Sequence, residues 1–220
     1  MKNLRCWAEI DLAALERNLH KIRAALPPGI KYVSVVKADA YGHGIHPTAA
    51  RLMQTGVDLF AVANVKEAMD IREMGSGWPV LILGPLLEEE DQTLLEYNLI
   101  PTLSDESELN RFIKLGKKQG KPLPIHLKVD TGMGRMGCWW EKAPFLLEKV
   151  LQTPEVELQG VLTHFPLPHD FDFTNLQRER FLEVIRPAIS AKPNLLVHAD
   201  NSSSLQSMGR NSPFNGIRIG

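Results

Sequence analysis

Eight short runs of β-forming residues recur along this chain of 220 residues: KYVSVV, DLFAVA, PVLILG, LIPTL, PIHLKVD, LQGVLTH, NLLVHA and NGIRIG. Helical patterning fills most of the intervals between them. HPTAARLMQ runs up to Gly56 and VKEAMDIREM up to Gly75, while DESELNRFIKLGKKQG carries Leu109, Phe112, Ile113 and Leu115, and TNLQRERFLEVIRPAI follows the sixth run. Short apolar strands alternating with amphipathic helices imply parallel pairing, because each crossover returns the chain to the same edge. Eight such units predict an α/β fold closed into a (β/α)8 TIM-type barrel. An open doubly wound sheet is the alternative, but no GxGxxG follows the first run, which weighs against its dinucleotide-binding form. A helix precedes the barrel: Asp11 is its N-cap, Leu12, Leu15, Leu19, Ile22 and Leu26 recur at helical spacing, and PPG at 27–29 stops it. No linker interrupts residues 1–220, which read as a single domain.

A formal net charge of −1 lacks the basic footprint of a nucleic-acid or membrane-surface protein, so neither partner is expected. No apolar run approaches membrane length and the N-terminus has no signal-like apolar stretch, which together predict a cytoplasmic protein. Cys6 and Cys138 lie far apart without a CxxC pattern and read as two reduced thiols.

In a parallel barrel the chemistry gathers at the C-terminal ends of the strands. Five runs deliver polar residues there. Lys37 closes the first, and LKVDTGMGRMG, with Lys128, Asp130 and Arg135, closes the fifth. LTHF brings His164, HADNSSS brings Asn201 and Ser202, and the eighth run carries Arg218 and Gly220. Each has an ordinary reading beside a functional one. Lys37 either snorkels to solvent or is an amine made nucleophilic by burial and neighbouring cations, free to form a Schiff base. Arg135 is a surface residue or a bidentate carboxylate clamp, and Lys128 and Asp130 form a local ion pair or serve the site. The glycines of TGMGRMG permit close backbone approach to a ligand. Ser202 and the Gly220 backbone stand where such barrels hold phosphate, although serines after a strand are commonly caps. His164 is a rim residue or a satisfied structural histidine. His43 and His46 have HxxH spacing and His169–Asp170 lies in another loop; a metal site would need a third convergent ligand and ordered partners behind it, and no metal is expected.

VVKADAYGHG, KVDTGMGRMG, LTHF, HADNSSS and NGIRIG, in that order, resemble the motif set of bacterial alanine racemases from about residue 7 to residue 220. The resemblance implies a pyridoxal 5'-phosphate (PLP) enzyme of fold type III, a homodimer that interconverts L- and D-alanine. By motif position Lys37 resembles the lysine that anchors PLP and moves the Cα proton on the D-substrate side. Tyr41 and Ser202, with the Gly220 backbone, resemble the phosphate contacts, and Asn201 stands beside them. His164 corresponds to the residue against the cofactor ring and Arg218 to the arginine bonded to the pyridine nitrogen. Arg135 resembles the arginine near the substrate carboxylate, and Lys128 the lysine that is often carbamylated.

The family's second base is a tyrosine of a mainly β C-terminal domain, reaching across the dimer. None of Tyr32, Tyr41 and Tyr97 matches it, so the chain reads as a racemase barrel without that domain, impaired in two-base catalysis and doubtful as a dimer. The N-terminal CWAEI run is expected as an exposed strand edge. The competing readings are a single-domain PLP-binding protein of the same fold type, a non-catalytic fragment, and a Schiff-base aldolase barrel.

Overall fold

The computed structural model describes residues 5–205 and 212–220. Eight parallel strands close on themselves: β1 (Lys31–Val35), β2 (Leu59–Val62), β3 (Val80–Ile82), β4 (Ile100–Leu103), β5 (Leu123–Asp130), β7 (Val156–Leu162), β8 (Leu196–Asn201) and β9 (Gly216–Ile219). The order β4-β3-β2-β1-β9-β8-β7-β5, with β4 also paired to β5, makes the ring. Every expected strand is present. A two-residue strand, β6 (Cys138–Trp139), leans on the end of β5.

Crossover helices follow from capping as much as from apolar spacing. Asp11 opens α1 (Leu12–Ala25) by accepting the Ala13 and Ala14 amides at 2.8 and 3.0 Å. Asn64 caps α4 (Val65–Met74) through the Glu67 amide at 3.0 Å. Asp105 caps α6 (Glu106–Gln119), which ends on Gly120 in the left-handed region. Asp170 opens α8 (Phe171–Ala191), and α3 (Ile45–Thr55), α5 (Asp91–Glu96) and α7 (Ala143–Gln152) complete the shell. The chain turns helical at Ser204 and Leu205, where a helix is expected after HADNSSS, and the next residues lie outside those described. Residues 5–10 are exposed and form no strand, so CWAEI is not the strand edge expected of it. Among the described residues no helix is long and apolar enough to cross a membrane.

Alternation along the strands sorts side chains between two cores. Phe60, Val62, Val80, Ile82, Leu127 and Val197 face the helices, in one cluster with Phe112, Phe181 and Ile185. Val33, Leu59, Ala61, Leu81 and Ile100 form the second cluster, on the lumen. Apart from the buried Ser34 and Thr102, both faces are apolar on β1 to β4, so these runs read as continuous. On β5, β8 and β9 the lumen face is polar instead, with His126, Lys128, His198 and Arg218 all buried. Half of the barrel interior is therefore a packed core, and the other half is a polar column leading to the rim.

Candidate active site

Lys37 does not end a strand. β1 stops at Val35, and Lys37 opens α2 (Lys37–Gly42), a turn in which Ala38, Asp39, Ala40 and Tyr41 all have φ between 51° and 56°. This is one turn of left-handed helix made of residues with side chains. It costs roughly 1–2 kcal/mol per residue, so it persists only where its surroundings over-determine it. The Ala38 amide donates to Glu67 Oε1 (2.9 Å) and the Ala40 amide to the Val36 carbonyl (2.9 Å). The Ile45 amide donates to Asp39 Oδ1 (2.7 Å) and that of Gly44 to the Asp39 carbonyl (3.0 Å). As a result Lys37 and Tyr41 line the same cleft.

On β5, Lys128 points up the lumen at 6% exposure. Burial first, then Arg135, Arg218 and Lys37, bring its amine down to about 8, and nearby Asp130 pulls in the opposite direction. The expected Lys128–Asp130 ion pair does not form. Asp130 instead accepts the amides of Gly132 (2.9 Å) and Gly134 (2.9 and 3.2 Å), folding TGMGRMG back on the strand end. A carboxylate that satisfies backbone donors in a tight loop is committed there. Gly137, at φ 116°, is needed because a Cβ would come 3.0 Å from the Lys128 chain and 2.9 Å from the Asp130 nitrogen. Arg135 is exposed at the tip and makes no hydrogen bond or ion pair among the described residues.

Arg218 is the centre of the polar column. Its Nη1 donates to His198 Nδ1 (3.1 Å) and to the His198 carbonyl, and its Nη2 to the carbonyls of Thr163 (2.6 Å) and Ala199 (3.1 Å), with His164 Nδ1 at 3.4 Å. Nε makes no bond among the described residues and is the donor left for a ligand. Burial lowers Arg218 only to about 10, so it stays charged at neutral pH. His164 is pushed down to about 4 by burial and by Arg218, Arg135, Lys128 and Lys37, and is therefore a neutral ring at the rim.

The phosphate-type residues meet on the other side. Ser202 Oγ lies 3.2 Å from the Gly220 carbonyl and 3.3 Å from its amide. A Cβ at Gly220 would stand 2.8 Å from the Tyr41 ring, so only glycine lets the two approach. Asn201 stands beside Ser202, as expected, and also orders the loop. Its Oδ1 caps the Ser203 and Ser204 amides (3.0 Å each) and its Nδ2 donates to the Phe165 carbonyl (3.0 Å), so the side chain shapes the loop.

Lys37, Tyr41, Lys128, Arg135, His164, Asn201, Ser202, Arg218 and Gly220 thus all line one cleft of about 380 Å³. Four of its lining side chains are cations and none is a carboxylate. Lys37, Lys128 and Arg135 have no anionic partner among the described residues. Such a cleft suits a ligand bearing a phosphate and a carboxylate, with a free amine at hand for covalent chemistry. The HxxH pair does not converge: His43 Nδ1 bonds the Ala40 carbonyl (2.7 Å), while His46 sits by Asp70 and Glu73 on the surface. Sequence reasoning passed over Glu67, His126, His198 and Thr163. The signal for His126 was its spacing to Lys128 on β5, since residues two apart share a face.

The family model described as "Alanine racemase, N-terminal domain" matches residues 10–220. An alanine racemase of Halothermothrix orenii is 35% identical over 202 residues, covering 90% of this chain and 53% of the relative. The chain thus spans about half the length of the curated relatives it matches. Among solved structures, the alanine racemase of Clostridium difficile 630 superposes with a TM-score of 0.91 at 27% identity, over 100% of this chain and 58% of that one. An alanine racemase of Bartonella henselae with covalently bound pyridoxal phosphate gives 0.84 at 26% identity, over 96% and 60%.

Proposed function

Because the chain belongs to the alanine racemase N-terminal domain family, we propose that residues 1–220 form the PLP-binding barrel of an alanine racemase. The observation that carries this reading is the four-cation cleft with the unpaired Lys37 amine at its edge. The residues present fit PLP. Tyr41, Ser202 and the Gly220 amide would hold the phosphate, Lys37 would be the covalent anchor, and His164 and the free Nε of Arg218 would face the ring.

Bound there, PLP would supply the electron sink that acidifies the Cα–H of an amino acid. Arg135 offers a bidentate fork for the substrate carboxylate. Lys37 carries the Cα proton on one face. Arg218, which keeps its own proton, would donate a hydrogen bond to the ring nitrogen without protonating it. Lys128, with an amine near 8, has a free-base fraction that would add CO2 and release one proton to solvent, and the carbamate would place one negative charge beside Arg135.

By the resemblance, the second base lies in the half of the relatives that residues 1–220 do not span. These residues alone are expected to exchange the Cα proton on the Lys37 side far faster than they interconvert enantiomers. The family resemblance is also the support for a cytoplasmic homodimer supplying D-alanine to peptidoglycan.

The test is to incubate the chain with PLP, trap one portion with borohydride and map the adduct, and in a separate unreduced portion follow Cα-deuterium uptake and enantiomer ratio for alanine. An adduct on Lys37 with exchange supports the racemase barrel. An adduct without any exchange favours a PLP carrier of the same fold, and protein that ignores PLP sinks both.

A further inference from the structure

Glu67 lies on α4, away from every motif discussed above. Its carboxylate nevertheless spans two strand ends at the rim. Oε1 accepts the Ala38 amide (2.9 Å), the first left-handed residue after Lys37, and Oε2 accepts the Ala63 amide (2.7 Å), just past the end of β2. The connection continues: the Ala63 carbonyl accepts the Gly84 amide (3.1 Å) past the end of β3. Gly84 is obligatory there, because a Cβ would sit 2.3 Å from the Ala63 oxygen. Ala63 and Gly84 both line the cationic cleft. Among the described residues, Glu67 is thus the only side chain in this belt of hydrogen bonds, which joins the ends of β2 and β3 to the Lys37 turn after β1.

In ADAY only Asp39 tolerates the left-handed region, while the two alanines and Tyr41 disfavour it. Such a turn relaxes to another backbone path unless bonds outside it outweigh the strain. A carboxylate taking two backbone N–H donors is among the stronger devices available. We propose that Glu67 is a positioning residue for the Lys37 anchor: it holds the left-handed turn that points Lys37 and Tyr41 into one cleft. The proposal rests on the reading that Lys37 binds PLP, and it adds the residue that determines how well Lys37 does so.

Glu67→Gln keeps the size and one acceptor but sets an amide N–H₂ against the other backbone donor. With the circular dichroism spectrum unchanged, its Kd for PLP should rise about ten-fold or more, in line with the loss of one charge-assisted bond. In the PLP-free protein, backbone hydrogen exchange in the peptide spanning residues 37–44 should speed up while β5 and β7 stay protected. Adding Ala38→Gly, which relieves φ strain at an exposed position, should recover part of the lost PLP affinity. General loosening of α4 would not be rescued by a glycine on the far side of the bond. Wild-type PLP affinity and exchange in Glu67→Gln would overturn the positioning role while leaving the Lys37 reading intact. Failure of the wild-type chain to form any Lys37 adduct would overturn both, and is separately visible. Should Glu67→Gln prove unstable, Glu67→Asp measured for the same exchange and affinity keeps the proposal exposed, because its shorter reach cannot span both amides.

Discussion

Arg218 on β9 and His198 on β8 are bound twice, guanidinium to imidazole Nδ1 at 3.1 Å and to the carbonyl of the same residue. Arginine only donates, so His198 Nδ1 accepts and its proton sits on Nε2. That proton is then given to His126 Nδ1 at 2.9 Å, which places the His126 proton on its own Nε2. One cation fixes the tautomers of two buried rings, and the rings fix the direction of the cation. The free Nε of Arg218 can be aimed at the cleft because its other nitrogens are tied down.

Acid should unfold this protein early. Burial, with Arg218 behind it, lowers His126 to about 3, His164 goes to about 4, and His198 goes well below its ordinary value. In the unfolded chain all three titrate near 6.5. Between about 6.5 and the folded values the unfolded state therefore binds more protons, so stability is full above 6.5 and falls as pH drops below it. Urea midpoints at pH 7.5, 6 and 5 should decline steadily, and His198→Gln should flatten the slope. A midpoint constant over that range would contradict a column of neutral histidines.

Lys37→Ala should separate the site from the fold. The side chain makes no hydrogen bond among the described residues and stands half-exposed at the rim, so its loss should move stability by no more than about 0.5 kcal/mol. Borohydride-trapped PLP should vanish all the same. Equal loss of fold and labelling would show that the amine is structural.

Most of the barrel is legible from the apolar runs, because each strand on β1 to β4 is buried on both faces and leaves no ambiguity of period. The rim is legible by position once strand ends are set. What stays hidden is where a bond depends on two distant segments. The Lys128–Asp130 pair was a fair expectation from spacing, yet residues two apart on β5 share the lumen face without touching, and Asp130 turns to the glycine amides. Lys37 reads as a strand end because VSVV runs into it, while the left-handed turn depends on Glu67 some thirty residues away. The loop-shaping bonds of Asn201, to the Ser203 and Ser204 amides and to the distant Phe165 carbonyl, are likewise hidden in HADNSSS.

Lys128 should bind CO2 where an ordinary surface lysine does not. With an amine near 8, roughly half of it is free base at pH 8, against well under a hundredth for a lysine near 10.5. In 13C-bicarbonate at that pH, a carbamate carbonyl resonance should appear in the wild type and be absent from Lys128→Ala. Arg135→Ala removes a cation that opposes protonation of Lys128, so it should raise the lysine pKa and weaken the signal. A resonance that persists in Lys128→Ala would assign the carbamate elsewhere.

Gly160→Ala tests whether the histidine column is as tightly built as its bonds suggest. Gly160 on β7 is the register partner of His126 on the neighbouring β5, and a Cβ there would lie 2.5 Å from Cε1, 2.6 Å from Nδ1 and 2.8 Å from Nε2 of that ring. The imidazole has no exposed side to move toward, being 1% accessible, and its Nδ1 is the atom that accepts from His198. The methyl group must displace the ring, break the His126–His198 bond and leave a buried donor without a partner. The expected cost is about 1–3 kcal/mol from overpacking, with a similar addition for the orphaned N–H. Gly77→Ala is the control, since a Cβ there meets nothing within 4 Å, and it should change stability by less than about 0.5 kcal/mol. If Gly160→Ala instead unfolds at the same denaturant concentration as the control, the lumen has room that this structure does not show, and Arg218 is not held in place by the column beneath it.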